Sequence, residues 1–476
     1  MSNEVGKTPS TIEAGKPVRS LTLFDGISTI VGLMVGSGIF STAGEIQKNV
    51  GSPGFALVIW ALTGLLGLTG ALCYAELGTM IPGSGGEAQY LARGLGPMMV
   101  FLFNWTSIII LKPGTIAILS VATAEYMLQM VVEKSILEDK AHAVFYSWLT
   151  KGIAILCCIV VTLASSLSTK WSNRIQGVLT LGKIGALTLV ICSGCYFAIF
   201  VDSSVIKENL GEPFKGSVFG FGLFAAALNH GLWAFEGWNN LNIVAGDLAN
   251  PQVNLPLGIW ISMTAVVALY LLTNLGYYSV LPMMAIENTS AVGIDFGLRV
   301  FGRVGGILMP ILVASSTFGS ALSSMVTSSE IVLLAAQTGQ LPAYFNKVSP
   351  TFGTAFRAYW MQGVISCFLC LFTDFNELIM IYTFPTWIFY AACVIVLLRL
   401  RLTAPDLERP YRVWLSTPIL FLIACVWLQV TSLYAEFRAV SLSFLAVLVG
   451  IPLYYLFVRP PTVKGEANSM PLMTHK

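Results

Sequence analysis

Charge is scarce in this chain. Asp, Glu, Lys and Arg make up 11% of the 476 residues, and histidine occurs three times, at His142, His230 and His475. So little charge excludes an ordinary soluble domain, and three scattered histidines make no metal-ligand spacing. Cysteine is missing from every segment that reads as an external loop. All nine, Cys73, Cys157, Cys158, Cys192, Cys195, Cys367, Cys370, Cys393 and Cys425, lie in apolar blocks or at their edges. No disulfide framework is therefore expected, and these residues read as small buried hydrophobes. A net charge of +2 implies no acidic partner and no nucleic acid. No polar segment is long enough for a separate soluble domain. The first twenty residues are polar and unlike a signal peptide. Convergent nucleophiles are also missing, so neither an enzyme nor a cofactor is expected.

What is present is apolar sequence, 55% of the chain with a mean hydropathy of +0.77, in blocks of the length a bilayer requires, about 20 residues each. Twelve spans are expected, near 21–46, 53–81, 96–130, 145–167, 173–200, 217–245, 256–281, 304–336, 357–373, 376–399, 413–434 and 439–458. An even number puts both termini on one side of the lipid bilayer. The N-terminal segment carries Lys7, Lys16 and Arg19, later loops on that side carry Arg93, Lys170, Arg399, Arg401 and Arg409, and the tail carries Arg459 and Lys464. The 131–142 loop opposite is acidic on balance. By the positive-inside rule both termini are cytoplasmic, with tails at 1–20 and 459–476.

Two spans carry sequence that an uninterrupted helix in lipid would not choose. Span one contains Val35-Gly36-Ser37-Gly38-Ile39-Phe40, with a further glycine at Gly32, and each interior glycine costs a helix about 1 kcal/mol against alanine. Unwound backbone at that depth persists only where it faces a protein cavity or a ligand. A half-helix N-terminus there is a ready site for a carboxylate; close helix packing through small residues is the alternative. Span six reads Gly231-Leu232-Trp233-Ala234-Phe235-Glu236-Gly237-Trp238-Asn239-Asn240-Leu241-Asn242, or else it ends near Phe235 and the asparagines form an ordinary loop. Paired interruptions five spans apart point to a site between inverted repeats. The fold class expected is an all-α membrane protein with broken helices 1 and 6. Residues 21–200 form the first five-helix repeat, 217–400 the second, and 411–458 two further helices.

At these residues the sequence resembles the L-type amino-acid transporters of the amino acid–polyamine–organocation superfamily. The span-one motif is followed by Gly51-Ser52-Pro53-Gly54. Further matches are Ala71-Leu72-Cys73-Tyr74-Ala75-Glu76-Leu77-Gly78, Ser84-Gly85-Gly86-Glu87, Gly237-Trp238-Asn239-Asn240-Leu241-Asn242, Asn250-Pro251, Asn254-Leu255-Pro256 and Leu407-Glu408-Arg409-Pro410. The resemblance runs from about Leu21 to Phe457, and its nearest branch is the fungal high-affinity methionine permeases. It implies that a substrate carboxylate sits on the N–H groups of Gly36, Ser37 and Gly38. The substrate ammonium would face carbonyls near Met34, Trp233 and Glu236, with Phe235, Asn239 and Thr386 around it. Trp233 would act as an aromatic gate where relatives usually have phenylalanine. Lys183 would lie against broken span one, where sodium-coupled relatives hold an ion, so that sodium is not required, or else it is a structural lysine tying span five to span one.

Other charged positions take more than one role. Lys112, before Pro113, is a kink and cavity-wall residue or a substrate contact. Glu236 carries the coupled proton, recognises a cationic group, or caps the second half of span six. Glu76 and Asp247 belong to cytoplasmic gate networks, and Glu330 stands where relatives often have arginine. A channel would need a repeated filter that the chain lacks, and a transporter-fold nutrient sensor would usually carry a long cytoplasmic domain. The function expected is proton-coupled import of methionine or similar neutral amino acids at the plasma membrane, with an exchanger of broader or cationic specificity as the alternative. Many animal relatives bond a heavy chain through a cysteine between spans three and four. The Val131–Ser147 loop has none, so no disulfide-linked partner is expected.

Overall fold

Each long apolar run becomes a helix because hydrocarbon leaves the backbone no partner but itself. The computed structural model describes residues 21–36, 38–81, 83, 85–132, 143–289, 291–373 and 375–458. Ser37 and most of the 131–142 loop lie outside the described residues. Ten helices among the described residues are long and apolar enough to cross a bilayer. The 17-residue helix Phe356–Phe372 is the expected ninth span, and the sixth is divided. There is no β-strand among the described residues, only an isolated bridge between Leu21 and Leu248.

Helix ends follow local chemistry. Thr22 and Asp25 form a capping box at Leu23–Met34, and Ser52 caps Pro53–Met80 through the Phe55 amide. Span seven begins at Pro251, earlier than 256, because proline at the first helical position has no N–H to lose. Span eight is also longer than expected. Its helix is assigned over Val292–Gln337 but turns at Gly302 (φ 60°), so a separate segment precedes the span proper. Arg299 and Arg303 lower the hydropathy of that segment and hide it from an apolar-run reading. Short helices over Glu87–Gly94 and Ser204–Gly211 lie in connections that read as loops in the sequence.

Span three packs on span eight, span two on span seven, and span five on spans seven and eight. Spans eleven and twelve pack against span ten. Arg401, near the end of span ten, grips Glu76 of span two with two guanidinium nitrogens, Nε at 2.9 Å and an NH2 nitrogen at 2.5 Å. The Val413 amide also donates to Glu76, at 2.8 Å, and Arg401 donates to the Val413 carbonyl. Span two, span ten and the segment before span eleven are thereby joined at one carboxylate that is fully buried. Arg409 donates to the carbonyls of Leu400, Ala404, Pro405 and Leu407, which ties the end of span ten to the turn that follows it. Glu76 thus sits in an interhelical network, whereas Asp247 is exposed and takes part through its backbone carbonyl, which accepts from Leu21.

Removing one member of a buried pair strands the other charge. Arg401→Ala should lower stability by about 3–5 kcal/mol; a thermal midpoint in detergent within a degree or two of wild type would show that the pair holds nothing together.

Candidate functional site

Both interruptions are real breaks, and they meet. Helix Leu23–Met34 stops at Val35 (ψ 83°), and a new helix starts at Gly38. Helix Phe221–Ala234 ends at Phe235, the chain passes Gly237 at φ 118°, and one turn resumes over Asn240–Ile243. That positive φ favours glycine over any other residue. The asparagines do not form an ordinary loop: Asn242 is fully buried, and its Oδ1 accepts from the Tyr90 hydroxyl.

The Tyr270 hydroxyl of span seven joins the two breaks. It lies 2.7 Å from the Met34 carbonyl and 3.1 Å from the Ala234 carbonyl, the ends of the two first half-helices. Met34 O also accepts from the Gly36 amide at 2.8 Å. Met34 O is thus engaged by one amide and shares the Tyr270 proton with Ala234 O, which leaves less room for an ammonium at Met34 than the sequence suggests. The Trp233 carbonyl likewise accepts from the Glu236 amide. On the other side of the break, the first N–H groups of a helix have no intrahelical acceptor, and those of Gly38 and Ile39 find none among the described residues.

A cavity of about 760 Å³ ends at these breaks, large enough for a small organic ligand. Met34, Gly36, Gly38, Trp233, Glu236, Asn239 and Thr386 all line it. It extends to Leu21, Asp25, Thr327 and Leu334, on the side where span one begins. Nothing from Ile39–Val50 or Phe221–Leu232 lines it, so the breaks mark its floor. Trp233 crosses Tyr382 edge to face at 5.1 Å, and its indole N–H has no partner among the described residues.

Phe235 does not line the cavity. It is buried against Trp60 and Tyr270, with ring centroids 6.1 and 4.9 Å away. Ser37 is outside the described residues. Lys183 sits behind the cavity wall: its ammonium donates to Ser320 Oγ at 2.6 Å and lies 3.5 Å from the Gly32 carbonyl. Ser320 lines the cavity and is the nearest neighbour a Gly36 side chain would meet. Glu330 is exposed and does not line the cavity, and nothing in the structure explains its reversal of charge.

The Glu236 carboxylate accepts from the Tyr390 hydroxyl, and no side chain caps Asn240–Ile243. The capping role is therefore not what the side chain does here. Three further lining residues carry chemistry that the sequence reading left unassigned. Glu87 is buried, and its Oε1 accepts from Asn239 Nδ2. Tyr382 and Tyr390 flank Thr386 at four-residue spacing, and all three line the cavity along one helix face. That spacing of polar groups in an apolar run is a signal the sequence does contain.

Gly38 has a second duty. A Cβ built there would fall 2.3 Å from Ala234 Cα, whereas one on Gly36 meets nothing closer than 3.8 Å. A β-branched residue at Gly38 would thus push the half-helices apart. Such a variant would therefore lose packing between the half-helices as well as any ligand contact. Gly38→Val should lose thermal stability by roughly 1–3 kcal/mol or more, while Gly36→Ala should fold as wild type; equal melting midpoints for the two would refute the close contact.

Residues 21–457 match the family model described as amino acid permease. The chain is 32% identical over 464 residues to b(0,+)-type amino acid transporter 1 of Mus musculus, covering 96% of this chain and 91% of that protein. It is 32% identical over 452 residues to the cystine/glutamate transporter of Homo sapiens, covering 95% and 88%. It is 31% identical over 469 residues to large neutral amino acids transporter small subunit 2 of Mus musculus, covering 96% and 85%.

Proposed function

The chain belongs to the amino acid permease family, a multi-pass membrane transporter of amino acids, and on that footing we propose that it carries α-amino acids by alternating access through the cavity at its two breaks. The observation that carries this is the backbone N–H of Gly38, which lines the cavity floor and has no partner among the described residues, with the equally unpartnered Ile39 N–H directly behind it. They would receive the substrate carboxylate together with Ser37, whereas the Gly36 N–H, the other donor the resemblance implied, turns back to Met34. Helix-end partial charge supports an anion there without a basic side chain. Since Met34 O is already engaged, the ammonium would turn to span six, at Glu236 and beneath Trp233. Spans 1–5 and 6–10 would act as the two inverted repeats that rock about this site.

With both termini cytoplasmic, as Lys and Arg placement implies, the cavity opens to the cytoplasm, and the described conformation is the inward-facing one. The plasma membrane is the proposed location. Methionine is the first neutral substrate to examine, from the likeness to fungal methionine permeases. Proton-coupled import is one driving mode. Exchange over a broader range of side chains is the other, and the charged lining formed by Glu87, Lys112 and Glu236 favours it. Relatives named for large neutral amino acids and for cystine and glutamate support that breadth. We further propose that no disulfide-linked heavy chain is needed. One relative's name marks it as a small subunit, but the Val131–Ser147 segment here has no cysteine. The exposed cysteines among the described residues are Cys192 and Cys195, within the apolar part of span five.

Purified single-chain protein in liposomes should take up labelled methionine, and free amino acids should compete far better than their methyl esters. Equal competition by esters would overturn the carboxylate site, and uptake only after adding a second membrane protein would overturn the single-chain proposal. Glu236→Gln should abolish accumulation against a gradient under an imposed proton gradient while leaving exchange between two amino-acid pools. Undiminished accumulation by that variant would remove the coupling role and leave recognition of a cationic group.

A further inference from the structure

Lys112 takes no part in the carboxylate and ammonium contacts above, yet it lines the same cavity. It opens the second half of span three, directly after the π-helical turn Ser107–Leu111 and before Pro113. Its ammonium has no hydrogen-bond acceptor and no carboxylate within 4.0 Å among the described residues. Two carboxylates share this inner lining with it, Glu87 and Glu236. Each is positioned by a neutral donor, Asn239 on Glu87 and Tyr390 on Glu236. The fourth charged group of the lining, Asp25, is held at the cavity mouth by Thr22. The inner cavity thus holds two anchored acids and one cation bound to neither.

A charge in a partly buried cavity needs compensation. Here the acids have theirs in a lysine on a long flexible stem, which leaves it free to move. An anionic side chain arriving at Lys112 would meet both carboxylates. A cationic side chain would meet both acids and compete with Lys112 alone. We propose that Lys112 is an exchangeable counter-cation: it balances Glu87 and Glu236 when the cavity is empty or holds a substrate with an uncharged side chain, and a substrate with an ammonium or guanidinium side chain takes its place between them. Glu87 and Lys112 then set side-chain charge preference, while the span-one break holds the α-carboxylate and Glu236, beneath Trp233, is shared with the α-amino group. This inference rests on the amino-acid site proposed above.

The experiment compares arginine with citrulline, nearly the same shape without the charge, as inhibitors of labelled methionine uptake into liposomes at one pH. Lys112→Met should shift the arginine-to-citrulline affinity ratio toward arginine by roughly tenfold, and Glu87→Gln should shift it toward citrulline by a similar factor. The double variant should return near the wild-type ratio, and Lys112→Arg should stay near it. A ratio unmoved in Lys112→Met, or moved toward citrulline, overturns the proposal. The same ratio read as ligand-dependent thermal stabilisation in detergent covers any variant too impaired to transport. Wild-type protein that responds to no amino acid in either assay would overturn the amino-acid site itself, whereas unchanged ratios in responsive variants overturn only the role of Lys112 and Glu87.

Discussion

The structure depends on where the backbone carbonyls go when two helices stop in the middle of an apolar bundle. Hydrocarbon offers them nothing, and an unsatisfied buried carbonyl costs about 1–3 kcal/mol. One phenol proton is shared between both breaks: the Tyr270 hydroxyl lies within hydrogen-bond distance of Met34 O and Ala234 O. The Tyr270 ring is wedged against Trp60 and Phe235. The aromatic cluster behind the breaks therefore positions the polar floor in front of them. Phe235 serves the site from behind, which is why its burial and its place outside the cavity belong together.

Buried charge is sorted into two kinds. Glu76 with Arg401, and Lys183 with Ser320, are tied to fixed partners from other spans and hold walls in register. Glu87, Glu236 and Lys112 face the cavity; there the acids are oriented by neutral donors and the cation is not paired. A fixed pair contributes rigidity, and an unfixed cation leaves the electrostatics open to whatever enters. The same residue types do opposite work because one set is closed off by packing and the other is in contact with space.

The breaks were legible in the sequence because glycine and asparagine in an apolar run contradict what lipid allows. Lys183 stood out for the same reason. Glu87 did not, since it lies in a polar connection where a carboxylate violates no expectation, and only the fold brings it against Asn239. Tyr270 was equally hidden, because a tyrosine in span seven reads as core until its hydroxyl is seen between two carbonyls. Phe235 was misplaced by adjacency: as the helix ends, Trp233 turns into the cavity and the residue two positions on turns away from it. The segment before Gly302 escaped because its arginines break the apolar run while its backbone remains helical.

The contact of Gly38 with Ala234 has one more consequence. With no side chain between them, the second half of span one and the first half of span six share a backbone-to-backbone seam, and Tyr126 of span three fastens the near edge by donating to the Phe40 carbonyl. Two rods joined that closely cannot slide past each other or roll apart one at a time. In the alternating access proposed above, the two would tilt together, as a single door leaf hinged at the two breaks.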